Sequence, residues 1–566
     1  MINRLRLSAK ANRLSQLGKE FHSSGQYRMA MNSWQEAAKL YRQLGDRRSE
    51  AVHLANIGTT CDILGEYRQM IDFHQQALAI TTDLGDKGGQ VDSLFNLGIA
   101  HHSIGGYQQA VDFQQQALAI ARDIGDKRIE ERVLDWLGNT YNSLEDYSKA
   151  IDACQQSLAI LRSSGDKRNE AIALGQIGTA YIKIGEFQQA INLHQQSLAI
   201  KREVGDRRGE AISLDYLGAA NRGLGRYQQS IDCYQQSLSI VREIGNYQGE
   251  ANSLGGLGNT YESLKEYQKA IDCYQQALTI KESTADRRDI AILLGNLGAA
   301  YSGLGDYQQA VKLQQQSLSI KREVGDRAEE VNSLASLGNA YYSLEDHQQA
   351  IDCYQQALVI AIEVDLLQSR ANLLGKLGNV AQSVGNYKQA IDFYQRSLLA
   401  TKEIRDRQGE ADMLGNLGTI CNRLEQYQRA IDFYQQSLSI AKELGDRRGE
   451  ANLLGGLGVS YHYIGEYTQA IDFQRQSLAI AKGIADRQRE ANALGNIGAA
   501  CEELAEYQQA VDFHQQALSI KRSIGDRIGE LVTLHNLSAT YSKIGDHQRA
   551  SDIHQQSSAL ERELGL

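Results

Sequence analysis

Twelve histidines, seven cysteines and 69 acidic residues supply this chain of 566 residues with ample reactive side chains. Asp135 with His101 and His102, or Asp215 with Arg222, has the residue types of an acid–base pair. The spacing argues against such chemistry, because His74, His194, His514 and His554 fall in one register of a 40-residue period and His347 and His547 in another. A metal needs ligands converging on one point at ~2 Å, whereas residues repeated at a fixed interval spread along an axis. No zinc motif, phosphate loop or nucleophile elbow occurs. The residues thus predict no catalytic site, no metal and no cofactor, and every such pair also fits a wet groove.

The elements carrying these residues are repeats. Sliding the chain by 40 residues lays Gly245–Thr284 over nearly all of it, giving 14 repeats from residue 5 to 564, with a degenerate first repeat at 5–44 and a self-capping last one at 525–564. With Ala251 as place 1, the index repeat has Leu at the fourth and seventh places, Gly at the eighth and Tyr at the eleventh. Ala follows at the twentieth, an aromatic residue at the twenty-fourth and Ala at the twenty-seventh. Spacings of three, four and seven are helical, read twice with a break near Lys265 and Glu266, so each repeat is expected to be two antiparallel helices. Pairs such as Gly125-Asp126 and Gly525-Asp526 end one helix with a left-handed glycine and open the next with a carboxylate cap. Ala285-Asp286, Arg405-Asp406 and Ala485-Asp486 deviate, and the junction at Val364 to Leu367 loses the glycine and arginine, which makes it the expected kink or local contact site.

Composition narrows the partners. The net charge is −10 with both signs scattered through every repeat, so the basic footprint of a nucleic-acid binder is missing. The start MINRLRLSAKANRLSQLG lacks the apolar stretch of a secretory signal, and nowhere do about 18 apolar residues run together. A soluble, cytoplasmic protein without a membrane partner is expected. Cys61, Cys421 and Cys501 share one register and Cys233, Cys273 and Cys353 another. Packed helices stand ~8–10 Å apart, beyond the ~7 Å reach of a disulfide, so they read as core fillers, as does Trp34.

Leu, Leu-Gly, Tyr, Ala, aromatic and Ala at those places resemble the tetratricopeptide repeat. That family's unit is usually 34 residues and ends near a proline, whereas this unit has 40 and the chain has no proline. The form GDRxxE…LGNxY…LGxYxxAIxxYQQxLxI resembles the repeats of Pins/LGN-type scaffolds and of long bacterial arrays. The resemblance implies an all-α, right-handed superhelical solenoid of about 14 helix-turn-helix repeats, a single array over residues 1–566, with first helices lining a concave groove.

By the family's register the second, fifth or sixth, ninth, twelfth and thirteenth places face that groove. Most are small and neutral, such as Asn252, Gly255, Gly256 and Asn259. In Pins/LGN-type arrays the matching Asn contacts bound peptide, so Asn139, Asn259, Asn339 and Asn379 are carried over as peptide contacts, the alternative being that they bond within their own array. Large singletons concentrate in repeats three to six. Phe95, Trp136 and Tyr216 with Arg132, Asp135 and Asp215 are the expected hot spot, for a partner segment with Lys or Arg among apolar side chains. Chaperone-tail recognition is not expected, because no fifth place is Lys and Lys376 with Asn379 is only a near match. The resulting function is a scaffold binding an extended peptide or partner segment. The alternatives are a sensor arm working with a separately encoded effector and, last, an enzyme.

Overall fold

The computed structural model describes residues 2–284 and 286–566, with only the backbone at Asn3; Ala285 of the deviating junction lies outside them. Among the described residues there are 28 α-helices and no strand. They form two compact bodies, Met1–Asp286 and Arg287–Leu566. Within each body successive helices pack as antiparallel pairs in tandem, two per repeat.

Ala, Leu, Gln, Arg and Glu dominate the helices, and each carries an apolar stripe at helical spacing. The boundaries follow from local chemistry. Tyr107–Ile124 ends where Gly125 adopts φ 73°, and the amides of Gly125 and Asp126 donate back to Arg122 and Ala121 at 3.1 Å. The Asp126 carboxylate then accepts from the Ile129 amide at 3.1 Å, opening Lys127–Ser143. Arg405 and Ala485 occupy the same left-handed place at φ 58° and 55°. Asp365 does so at the irregular junction, where the described backbone keeps the common turn. There Leu366 packs partly buried against the surrounding core, and Leu367 is likewise half-buried.

The two helices of a repeat meet at the eighth place. A Cβ added to Gly258 would lie 2.6 Å from the Tyr274 ring, and one on Gly338 would lie 2.5 Å from Tyr354. The same clash recurs with His74 at Gly58, Gln114 at Gly98 and Gln474 at Gly458. The twenty-fourth-place side chain is a knob and the glycine is its hole.

Successive repeats are joined by a charged clamp. Glu210 is 5% exposed, and its carboxylate accepts from Arg202 and from Arg207, each at 2.7 Å. Burial pushes the Glu210 carboxyl up, but the two arginine hydrogen bonds outweigh it and hold the group below its ordinary range. Arg207 also reaches Glu243, at the end of its own repeat's second helix, at 2.5 Å. The pattern recurs with Arg322, Arg327 and Glu330.

Two substitutions separate steric need from backbone need. Gly258→Ala is expected to cost on the order of 1–3 kcal/mol through overpacking against Tyr274. Ala485→Gly is expected to gain about 1 kcal/mol by relieving a left-handed alanine. Urea unfolding of the two variants checks both signs, and a neutral Gly258→Ala would remove the knob-and-hole account.

Candidate partner-binding face

The singletons of repeats three to six do come together, but they fold onto one another. Phe95 is 4% exposed, with the Arg132 guanidinium 4.9 Å above its ring centre. Trp136 meets it edge-on at 6.5 Å and 84°, and also meets His102 at 5.8 Å. Phe95 is therefore not the groove contact expected from its place. It is the buried floor beneath Arg132 and Trp136, because a large ring at this fifth place reaches the sixth-place ring of the next repeat. Tyr216, 37% exposed, stacks on His194 at 5.0 Å and 8°.

The acids are held by neutral partners. Burial raises the Asp135 carboxyl, partly offset by the Gln176 amide. His102 lies 3.0 Å from Ser143 Oγ and His101 stacks on Phe113, so neither forms a pair with Asp135. Burial pushes Asp215 up to about 6, against hydrogen bonds from Ser237 and Ser253; the Ser253 hydroxyl donates to it at 2.8 Å.

The ninth-place asparagines turn out to serve the knobs. The Tyr274 hydroxyl lies 2.6 Å from Asn259 Oδ1 and 2.9 Å from Glu262. Tyr354 donates to Asn339 at 2.8 Å and Tyr394 to Asn379 at 2.7 Å. Lys376 adds a second bond to Asn339, also at 2.8 Å. Asn139, whose knob is Cys154, accepts instead from Gln176 at 3.1 Å. In all four the side-chain oxygen is engaged within the array. The sixth-place Gly256 and Gly456, read as groove floor, are also packing positions, abutting the Tyr234 and Tyr434 rings of the preceding repeat.

Open space lies elsewhere. In the second body three cavities of about 590, 330 and 420 Å³ line the inner face of the first helices. Asn379 and Asn416 line the first two, Arg423 the second and third, and Thr419, Tyr434 and Asn452 the first and third, so they form one trough. Its walls mix amides and small residues with Tyr342, Tyr387, Tyr434 and Met413, and Arg423 stands exposed at its middle. A 510 Å³ cavity of the first body opens between second helices, around Leu158, Leu193 and Gln196.

The sequence profile of the tetratricopeptide repeat matches residues 49–123, 130–203, 209–283, 289–363, 369–443, 409–483, 449–523 and 489–563. The chain belongs to the tetratricopeptide repeat family. Such repeats are typically non-catalytic scaffolds. No curated protein matches the chain. Similar solved structures include BtubC (BKLC) from P. vanneervenii, 20% identical over 39% of this chain and 92% of that one, with a TM-score of 0.36. The apo form of RapI is 17% identical over 49% and 99%, with a TM-score of 0.41. A Rap protein complexed with Competence and Sporulation Factor is 16% identical over 63% and 99%, with a TM-score of 0.43. Among the described residues no helix is long and apolar enough to cross a membrane.

Sequence reasoning missed two features of this tetratricopeptide array. The buried glutamate clamp was legible as GDRxxE but read only as caps. The trough has no sequence signature of its own, since its lining is gathered from several repeats and mixes the common glycines and asparagines with residues such as Met413 and Arg423.

Asp215 gives the face a pH signature. Its folded pKa, about 6, stands above its ordinary 3.8, so the folded chain binds the proton more tightly than the unfolded chain. The stability it contributes is present below about pH 4 and lost as pH rises through about 6. Asp215→Asn is expected to flatten that fall and to gain on the order of 2 kcal/mol at pH 7.5. Urea midpoints of both proteins between pH 4 and 7.5 read it, and parallel curves would rule it out.

Proposed function

We propose that the protein is a non-catalytic interaction scaffold whose inner first-helix face takes up an extended segment of a partner protein. The observation that carries this reading is the continuous trough of the second body, lined by Asn379, Asn416, Asn452 and Asn492 with Arg423 unpaired at its middle. Carboxamides carry both donors and acceptors, so a lining of this kind suits the amides and carbonyls of an extended main chain whatever its side chains. Between these amides Tyr342, Tyr387, Tyr434, Met413 and Leu453 offer apolar surface to the segment's side chains. In the first body, Trp136, Tyr216 and Arg132 beside Asp135 and Asp215 form a second contact surface, suited to basic and apolar side chains. Asn139 and Asn259 flank it. Rim charges there would set association rate more than affinity.

The test identifies the segment by co-purification from the native host, then measures its synthetic peptide by fluorescence anisotropy. Arg423→Ala with Asn452→Ala is expected to weaken binding at least tenfold, and Trp136→Ala with Tyr216→Ala less. Full affinity in both pairs would place the partner off this face.

A further inference from the structure

Place 31, in the last turn of each second helix, is Lys in only four repeats: Lys201, Lys281, Lys321 and Lys521. In each of the four the fifth place is Gly: Gly175, Gly255, Gly295 and Gly495. The pairing has a spatial reason, since places 5 and 31 face each other. His535 and Glu561, which occupy them in the last repeat, lie 3.3 Å apart, and a Cβ on Gly295 would lie 4.0 Å from Lys321 Nζ. The glycine leaves space beside a buried ammonium.

Lys321 shows how that ammonium is satisfied from within. It donates to Ser333 Oγ at 2.9 Å and to the Glu329 carboxylate at 2.8 Å. Lys201 repeats half of this arrangement. It donates to Ser213 Oγ at 2.9 Å and is 7% exposed, but Gly209 stands where Glu329 would be. Lys521, 8% exposed, has Gly529 at that place and donates to its backbone carbonyl at 3.2 Å. No ion pair within 4 Å holds either lysine among the described residues. The capping carboxylates Asp206 and Asp526 act on them only from farther away, and burial pushes both ammonium pKa values down. A buried cation without a counterion is costly. The room for one is present: a methyl on Gly495 would meet nothing within 4 Å, and one on Gly175 only Ser197 Oγ at 3.8 Å. Beside Lys201, both ring nitrogens of buried His194 lack a partner.

We propose that Lys201 and Lys521 are two carboxylate-binding sites, each taking from a ligand the group that Glu329 gives Lys321 from within the chain. A guest carboxylate accepts from the lysine ammonium, entering over the fifth-place glycine. A small acid suffices to fill the site, with or without an occupant in the trough.

Calorimetric titration of the full chain with Ac-Gly-Glu-Gly-NH2, Ac-Gly-Gln-Gly-NH2 and acetate tests this. The Glu tripeptide or acetate is expected to bind at least tenfold tighter than the Gln tripeptide. Preference for the tripeptide assigns an acidic side chain as the natural ligand, and equal binding of acetate a free carboxylate. Lys201→Met with Lys521→Met is expected to abolish binding, and Gly209→Glu with Gly529→Glu to abolish it while raising the melting temperature. Equal binding of the Glu and Gln probes overturns the proposal, as does binding that survives in the methionine pair or in the glutamate pair.

Discussion

Every repeat depends on one exclusion: where the second helix presents its knob, the first helix can carry no Cβ. Knobs as different as Trp34, Gln114, Cys154 and Tyr394 each lie where a Cβ on the facing glycine would intrude. Glycine in a helix interior costs ~1 kcal/mol against alanine, so its recurrence reflects the close approach of the helices rather than helix propensity. Only the last repeat lacks it; there Ser538 donates to the Ala550 carbonyl at 2.9 Å.

Most buried knobs that end in a polar atom find a partner, with His74, Gln114 and His194 as exceptions among the described residues, and this second tendency shapes the inner face. Tyr274, Tyr354 and Tyr394 reach a ninth-place Asn and Tyr434 a ninth-place Thr. Two glutamine knobs donate to a backbone carbonyl, Gln314 to Gly295 at 2.8 Å and Gln474 to Gly455 at 2.9 Å. His514 lies 3.1 Å from Glu502, and Lys543 donates to the same carboxylate at 3.0 Å. The asparagine column is thus in large part a consequence of core packing. Whatever a partner finds there is what the knobs leave over: amide hydrogens at Asn139, Asn339 and Asn379.

Charge works at the joints by the same economy of position. A glutamate buried between two arginines has its desolvation offset by two hydrogen bonds, and it fixes the angle between one repeat's second helix and the next repeat's first. Removing one partner would leave a buried charge uncompensated. Lys321 and Glu329 reproduce the device one residue earlier on each helix, and the glycines beside Lys201 and Lys521 show the same frame with one member missing.

The sequence by itself determined the repeat, its two helices, the caps at Asp126 and its equivalents, and the burial of Trp34 and most of the cysteines. These follow from local periodicity and from side chains acting within a few residues of themselves. Tertiary structure alone decided what the inner face offers. Phe95 sank beneath Arg132 and Trp136, Gly256 became a seat for Tyr234, and the open trough formed around Asn416 and Arg423. Those outcomes turn on residues about 20 to 40 positions apart meeting across a helix spacing. A register assigns a residue to a face, but only packing decides whether its neighbours there cover it or leave it open.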